Sequence, residues 1–417
     1  MSVMTSLTRM WLTRSTRPFV FTNEYDRQPP FEDCPNLGLY VHIPFCEHIC
    51  SFCPYCKTVY SREVCDRYID ALIREIHMVG GQTGEKKTVT SLYFGGGTPA
   101  LAAGRLAEIV RAAEEHFRIT DGVGVELHPD NVTPSLLQTL KDAGVTRISI
   151  GIQSFQEKFQ TVLGRGPVDR AALSAALKTV HFETVSMDFI FALPGQTFDD
   201  LRLDIDAAFS GGANHIAVYP FIDFTFTPSP VRAMPKKEKR RLLDAVTQYC
   251  LDKGYSRDSI WTFSNGKHAR YSSMTRDNFL GFGCSATTLL RDQFKINTFS
   301  TEEYCRRIDQ GLLPTSLTLR FSPRQRMVYY LFWTAYTTQV RADDFERFFG
   351  VSLKRAYGLE LAAAKLLGLI TEEDGVYRMT LRGAFYYHYY ESFYTLAYID
   401  KMWGIMRREA FPERIEF

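Results

Sequence analysis

Tyr40-Val-His-Ile-Pro-Phe-Cys46-Glu-His-Ile-Cys50-Ser-Phe-Cys53-Pro-Tyr-Cys56 puts four cysteines into eleven residues, directly after a histidine-proline turn. Cys46, Cys50 and Cys53 have the C-x3-C-x2-C spacing that wraps three thiolates around one face of a [4Fe-4S] cube. The fourth iron is then open to the amino and carboxylate groups of S-adenosylmethionine (SAM), the arrangement that feeds an electron into a sulfonium bond. The stretch points to radical chemistry.

Two other uses of the cysteines weigh less. Disulfide frameworks belong to small secreted domains, whereas this chain has 417 residues, an odd count of nine cysteines and no apolar signal segment. Structural zinc competes better, because Cys50-x2-Cys53-x2-Cys56 supplies three ligands. Zinc sites usually pair two separated knuckles, however, and Cys34, Cys65, Cys250, Cys284 and Cys305 are scattered singly. Cys56 has two readings: a hydrogen or proton donor near the open iron, or a small buried residue packing under the loop.

Outward from this loop, short apolar runs at 39–43, 91–94, 123–127, 145–150, 185–190 and 215–219 alternate with helix-sized intervals at 63–79, 101–117, 134–143, 170–179 and 198–208. Six parallel βα units predict an α/β fold, a (β/α)6 partial TIM barrel. Chemistry in such barrels gathers at the C-terminal ends of the strands, and the suspicious residues all fall there. The cysteine loop follows strand one. Gly95-Gly96-Gly97-Thr98-Pro99 follows strand two, where glycines allow backbone to approach a ligand. Glu126 closes strand three as an acceptor for a ribose or an amine, or as a carboxylate tied up by backbone amides. Gly151-Ile-Gln153-Ser154-Phe155 ends strand four, and Arg165 beyond it is suited to a bidentate pair with Glu126 or with an amino-acid ligand. Asp188 in Met187-Asp188-Phe-Ile-Phe-Ala-Leu193-Pro194-Gly195-Gln196-Thr197 ends strand five.

In this order the motifs resemble the HemN-like branch of the radical SAM superfamily, over roughly residues 37 to 300, with a looser likeness beyond. That branch includes oxygen-independent coproporphyrinogen III oxidase, the haem chaperone HemW, anaerobic haem-cleaving enzymes and class C radical SAM methyltransferases. The resemblance implies that Cys46, Cys50 and Cys53 bind the cluster and that Tyr40 contacts a first SAM. It implies that Gly96, Gly97 and Thr98 bind the methionyl amino group, while Glu126, Gln153, Arg165 and Asp188 hold polar groups of that SAM and border a second site. Phe282, Ser285 and Ala286, in Gly281-Phe-Gly-Cys-Ser285-Ala286, match the loop that would flank a second SAM. Two departures bear on the branch member. The fourth cysteine falls at Cys56, further from the third than in coproporphyrinogen oxidases. The chaperone signature before the Gly-x-Gly loop is missing, and Tyr271-Ser-Ser-Met-Thr275-Arg276 looks closer to the methyltransferase-like members.

The expected activity is therefore reductive cleavage of SAM to a 5′-deoxyadenosyl radical, with one or two SAM molecules, for C-methylation or methylene transfer to an sp2 carbon. The alternatives are oxidative decarboxylation of a porphyrinogen propionate and haem carriage. Expected partners are an unsaturated or aromatic small molecule and an electron donor such as flavodoxin or ferredoxin.

Composition agrees with a soluble globular chain: 45% hydrophobic, 23% charged, net charge +2. It gives no electrostatic case for nucleic acid, and no run approaches the roughly 20 apolar residues of a membrane span. The run Lys236-Lys237-Glu-Lys239-Arg240-Arg241 reads as a solvated helix start. Residues 1–36 read as an arm, with Arg9, Arg14 and Arg17 giving it some transit-peptide character. An oxygen-sensitive cluster favours a cytoplasmic setting. The barrel is assigned to 37–225, an α+β accessory segment to 226–320 after Pro228, Pro230 and Pro235, and a winged-helix-like domain with an aromatic helical tail to 321–417. That tail is expected to bury itself on a domain core, with a substrate wall or a partner patch as the alternatives.

Overall fold

The computed structural model describes residues 3–24, 28–82, 84–266 and 277–417. Six strands follow the chain: β1 (Leu37–Ile43), β2 (Leu92–Gly96), β3 (Val123–Leu127), β4 (Val145–Gln153), β5 (Thr184–Phe191) and β6 (His215–Pro220). They pair in parallel and in sequence order, joined by α1 (Arg62–Gly80), α2 (Ala103–His116), α3 (Pro134–Asp142), α4 (Arg170–Leu177) and α5 (Phe198–Ser210). Strict one-way winding through right-sized βα units is the partial-barrel arrangement expected from the sequence.

A seventh parallel strand, β7 (Asn278–Phe282), was not legible in the apolar pattern and pairs with β1. From β7 the sheet continues antiparallel through Thr287–Leu289, Gln293–Asn297 and Thr315–Arg320 to Val20–Thr22 and Arg414–Glu416. Residues expected in an arm thus form a strand inside the sheet, held between Thr315–Arg320 on one side and Arg414–Glu416 on the other.

The two faces of the parallel strands differ sharply. Leu39, Val41, Phe94, Val125, Ile148 and Ile216 are apolar, almost fully buried, and belong to the main core. The alternate positions are polar. His42 is level with Gly95, and Glu126, Ser149, Ser186 and His215 align in register across β3 to β6. Period-two alternation puts this row on the face away from the core. A parallel strand buried on both faces would be apolar throughout, so the polar row marks the inside of the barrel as a site.

Loops at the strand ends are fixed by buried side chains. Asp204 on α5 accepts from the Ser154 hydroxyl at 2.7 Å, the Phe155 N–H at 2.9 Å and Gln156 at 3.1 Å, which locks the turn after β4. Thr197 and Asp200 form a reciprocal capping box at the start of α5.

Further along, Pro323–Ala335, Ala342–Phe349 and Leu353–Leu366 pack with a three-stranded antiparallel sheet around Tyr330, Phe345, Leu353, Tyr357 and Tyr377, a winged-helix outline. The aromatic tail runs as a helix over Leu381–Tyr394, a π-helical turn at Thr395–Ile399 and a helix over Asp400–Met406. Tyr398 and Met402 are buried in the main core, while Tyr386 and Tyr389 are 48% and 39% exposed. No helix among the described residues is long and apolar enough to cross a membrane.

Candidate functional site

The cysteine loop leaves the end of β1 and is held from three sides. Lys57 Nζ donates to the carbonyl oxygens of Cys50 and Cys53, both at 2.8 Å, closing the loop from within. The Gly97 and Thr98 N–H groups donate to the carbonyls of Ile43 and Phe45 at 2.8 and 2.7 Å, anchoring its root. Arg407 donates to the carbonyls of Pro54 and Tyr55, so the C-terminal helix grips its far side.

The glycines that end and follow β2 are crowded by the protein's own groups. A Cβ on Gly95 would sit 3.1 Å from the Glu126 carboxylate, one on Gly96 2.8 Å from the His42 ring, and one on Gly97 2.5 Å from the Phe45 carbonyl oxygen. A side chain at any of the three would press on the protein's own groups, and Gly96 also has φ of +119°. The Thr98 hydroxyl lies 3.9 Å from Cys46 Sγ.

Cys46, Cys50 and Cys53 are all free thiols, partly accessible, on this one loop. Cys50 and Cys53 line a cavity of about 320 Å³ together with Ile49, Lys57, Phe226 and Arg407. Three soft sulfur donors on one loop, two of them lining a cavity, are the donor set of an iron–sulfur cluster, and the residues present fit that group.

Facing the loop, Glu126 accepts from the Gly96 N–H at 3.1 Å and the Tyr93 hydroxyl at 3.2 Å. Burial, with the nearby Asp188 charge adding to it, raises its carboxyl to about 7. Asp188 accepts from both Ser149 and Ser186, and burial still raises it to about 6. The Tyr40 hydroxyl lies 3.1 Å from His42 Nδ1 and feels the charge of Glu126. Gln153 ends β4 with φ of +71°, the left-handed region that non-glycine residues seldom occupy and that clusters at ligand sites.

Arg165 does not pair with Glu126. Its guanidinium donates to the Gly151 carbonyl at 2.7 Å and takes part in no ion pair among the described residues. Burial lowers its pKa, offset in part by Cys50, Asp130 and Cys53. A half-buried guanidinium beside three thiols, with no ion pair among the described residues, has donors suited to a ligand carboxylate.

Four further expected site residues belong to the end of β7, the turn after it and the far end of the cysteine loop. Phe282 is level with Val41, on the apolar side of the sheet, and its ring packs edge-on against Phe117 at 6.5 Å; strand alternation turns it away from the polar row. Ala286 is 2% exposed. Cys56 is buried and donates to the Phe299 carbonyl at 3.1 Å, with its sulfur 4.0 Å from Cys284. Ser285 points its hydroxyl to His42 Nε2 at 3.4 Å. The segment from Tyr271 to Arg276 lies outside the described residues.

The loop and the aromatic tail, for which a substrate wall was one of the alternatives, also meet here. Tyr55, between Cys53 and Cys56, is 51% exposed yet feels the charges of Glu126, Cys53 and Asp188. Trp403 packs within 6.0 Å of Tyr55 and of Phe299, and stacks with Phe224 at 6.3 Å. Asp400 fixes that helix by accepting from the Thr225 N–H and hydroxyl, both at 2.7 Å.

Residues 40–208 match the Radical SAM superfamily. The chain is 26% identical over 361 residues to a "Heme chaperone HemW" of Bacillus subtilis, covering 82% of this chain and 95% of that one. It is 27% identical over 315 residues to an "Oxygen-independent coproporphyrinogen III oxidase" of Pseudomonas aeruginosa, covering 66% of each. Its fold superposes on the coproporphyrinogen III oxidase HemN from Escherichia coli with a TM-score of 0.75 at 20% identity, over 89% of this chain and 94% of that one. A radical SAM domain implies a [4Fe-4S] cluster and SAM.

Proposed function

We propose that this chain, which carries a radical SAM domain at residues 40–208, is an enzyme that takes a hydrogen atom from a tetrapyrrole-class substrate. The relatives named above carry coproporphyrinogen III and haem in their names, and both are tetrapyrroles. The observation that carries the reading is the polar row across β3 to β6 facing a loop of three free thiols, with Arg165 unpaired between them.

When bound, the cluster and SAM supply a hydrogen-abstracting radical through one-electron cleavage of the sulfonium bond. Cys46, Cys50 and Cys53 would hold the cluster. Arg165 would take the carboxylate of SAM, while Glu126 and Asp188, held by Gly96, Tyr93, Ser149 and Ser186, would accept from its amino and hydroxyl groups. Tyr40 and Gln153 complete that wall. Tyr55 and Trp403 present aromatic faces at the loop's edge, suited to a flat unsaturated ring. Low-potential electrons would come from a carrier of the flavodoxin or ferredoxin kind.

The test is anaerobic reconstitution with iron, sulfide, reductant and SAM, read by 5′-deoxyadenosine. Its formation is expected, and its complete absence alongside tight haem binding would replace the enzyme with a carrier. Added coproporphyrinogen III should increase turnover and release carbon dioxide. The methyl transfer expected from the sequence gains nothing from these relatives; S-adenosylhomocysteine among the products would restore it.

A further inference from the structure

Behind the cysteine loop, His42, Cys56 and Cys284 bring one imidazole nitrogen and two sulfurs within 4.8 Å of one another, all three residues buried. They come from β1, from the far end of the loop and from the turn after β7. We propose that this triad is a second metal site, separate from the three-thiol loop, and that it takes one Zn²⁺.

The donor set favours a thiophilic d10 cation: two thiols and an imidazole suit zinc, and neither carboxylate nor water dominates the site. The separation agrees. An ion about 2.3 Å from each sulfur would see the pair, 4.0 Å apart, at an angle of about 120°. The nitrogen is assigned by its surroundings, since Nδ1 is engaged by the Tyr40 hydroxyl at 3.1 Å and Nε2 is turned toward Cys56 and Ser285. With zinc on Nε2 the ring proton would sit on Nδ1 and donate to the Tyr40 oxygen, the usual outer-shell arrangement of a metal-binding histidine. The Ser285 hydroxyl, 3.4 Å from Nε2, stands where a fourth ligand or a bound water belongs.

The site is also rigid. The His42 ring fills the space in front of Gly96, its carbonyl accepts from Tyr68 at 2.7 Å, and the same Tyr68 oxygen accepts from the Cys284 N–H at 2.9 Å. These groups bond one another as well: Nε2 reaches the Cys56 carbonyl at 3.0 Å, and the Cys56 thiol reaches the Phe299 carbonyl. Binding would exchange those neutral hydrogen bonds for two sulfur–zinc bonds and one nitrogen–zinc bond: the two thiol protons leave to solvent, and the imidazole proton passes from Nε2 to Nδ1, which then donates to the Tyr40 oxygen.

The experiment uses the full chain with its iron–sulfur cluster reconstituted anaerobically, so that Cys46, Cys50 and Cys53 are occupied. After Zn²⁺ addition and gel filtration, elemental analysis should give one zinc per chain beside the cluster iron. Cys56→Ser and Cys284→Ser should each lose the zinc and keep the iron, and Tyr40→Phe should weaken zinc binding about 10- to 100-fold. Co²⁺ in place of Zn²⁺ should show a sulfur-to-cobalt charge-transfer band that both serine variants lack. Should those variants fold poorly, a zinc chelator added to the unmodified holoprotein should lower its melting temperature without bleaching the cluster. Zinc below stoichiometry, zinc retained in both serine variants, a chelator without effect, or a native mass lower by two hydrogens from a Cys56–Cys284 disulfide would each overturn the assignment. None of these readouts depends on SAM cleavage.

Discussion

The Ser149 hydroxyl stands 2.9 Å from each carboxylate oxygen of Asp188, tying β4 to β5 inside the barrel. Together with Ser186 at 3.1 Å, it favours the charged acid against burial, which pushes Asp188 up to about 6. Ser149→Ala removes about 1 kcal/mol of that support. The pKa of Asp188 should rise further, and the acid limb of a 5′-deoxyadenosine pH–rate profile should move to higher pH with it. Ser149→Thr should restore the wild-type limb. An unmoved limb would detach Asp188 from the chemistry.

Among the described residues the Arg165 side chain donates to the Gly151 carbonyl. Replacing it with Lys keeps the charge and loses the bidentate fork. Arg165→Lys should raise the KM for SAM about tenfold and Arg165→Ala about a hundredfold, losses of about 1.4 and 2.7 kcal/mol. Iron content should stay the same in both. Loss of iron from Arg165→Ala would instead make the residue part of the cluster's support.

Arg407 holds the carbonyls of Pro54 and Tyr55, and its guanidinium lies 4.8 Å over the Phe226 ring. Arg407→Ala should free the loop locally with little global cost. Faster amide exchange at Tyr55 and Cys56 and faster bleaching of the cluster in air are expected, at an unchanged melting temperature of the cluster-free chain. Equal bleaching rates would show that the grip does not protect the cluster.

Glu75, on α1, accepts from the Gly283 N–H at 2.7 Å, Tyr304 at 2.6 Å and Asn297 at 3.0 Å, yet burial raises its carboxyl from 4.5 to about 7. A folded-state pKa above the unfolded one means that the folded chain keeps a proton the unfolded chain releases. The stability this contributes is full below about 4.5 and is lost as pH rises to about 7. Glu75→Gln should destabilise by about 1 to 3 kcal/mol at low pH, and its deficit should shrink as pH rises through that window. A deficit that grows with pH would mean that the three donors outweigh burial.

Much of this was readable from the chain alone. The six strands announced themselves because each is a short apolar run followed by a helix-sized interval, and β3 falls at 123–127 as expected. β7 was hidden because no helix-sized interval of a βα unit follows it and because it is recruited by β1 across more than two hundred residues of sequence. The cluster cysteines carry a spacing that few other chemistries share. Lys57, Ser149 and Arg407 carry no pattern, since each acts on a backbone or a carboxylate that only the fold brings near. Phe282 shows the opposite hazard: it stands in the right motif, but a strand exposes alternate residues, and Gly281 took the inner side.

The strand at Val20–Thr22 lies between two partners, and the second, Arg414–Glu416, is made almost four hundred residues later. During synthesis that edge of the sheet therefore waits, with unpaired N–H and C=O groups, until nearly everything described here has left the ribosome. The barrel and its cysteine loop are translated long before the seam closes, and so is the Arg326 link between Pro323–Ala335 and the Leu290 carbonyl. There is thus a window in which the cysteine loop exists and Arg407, just past the last helix, does not yet cover it.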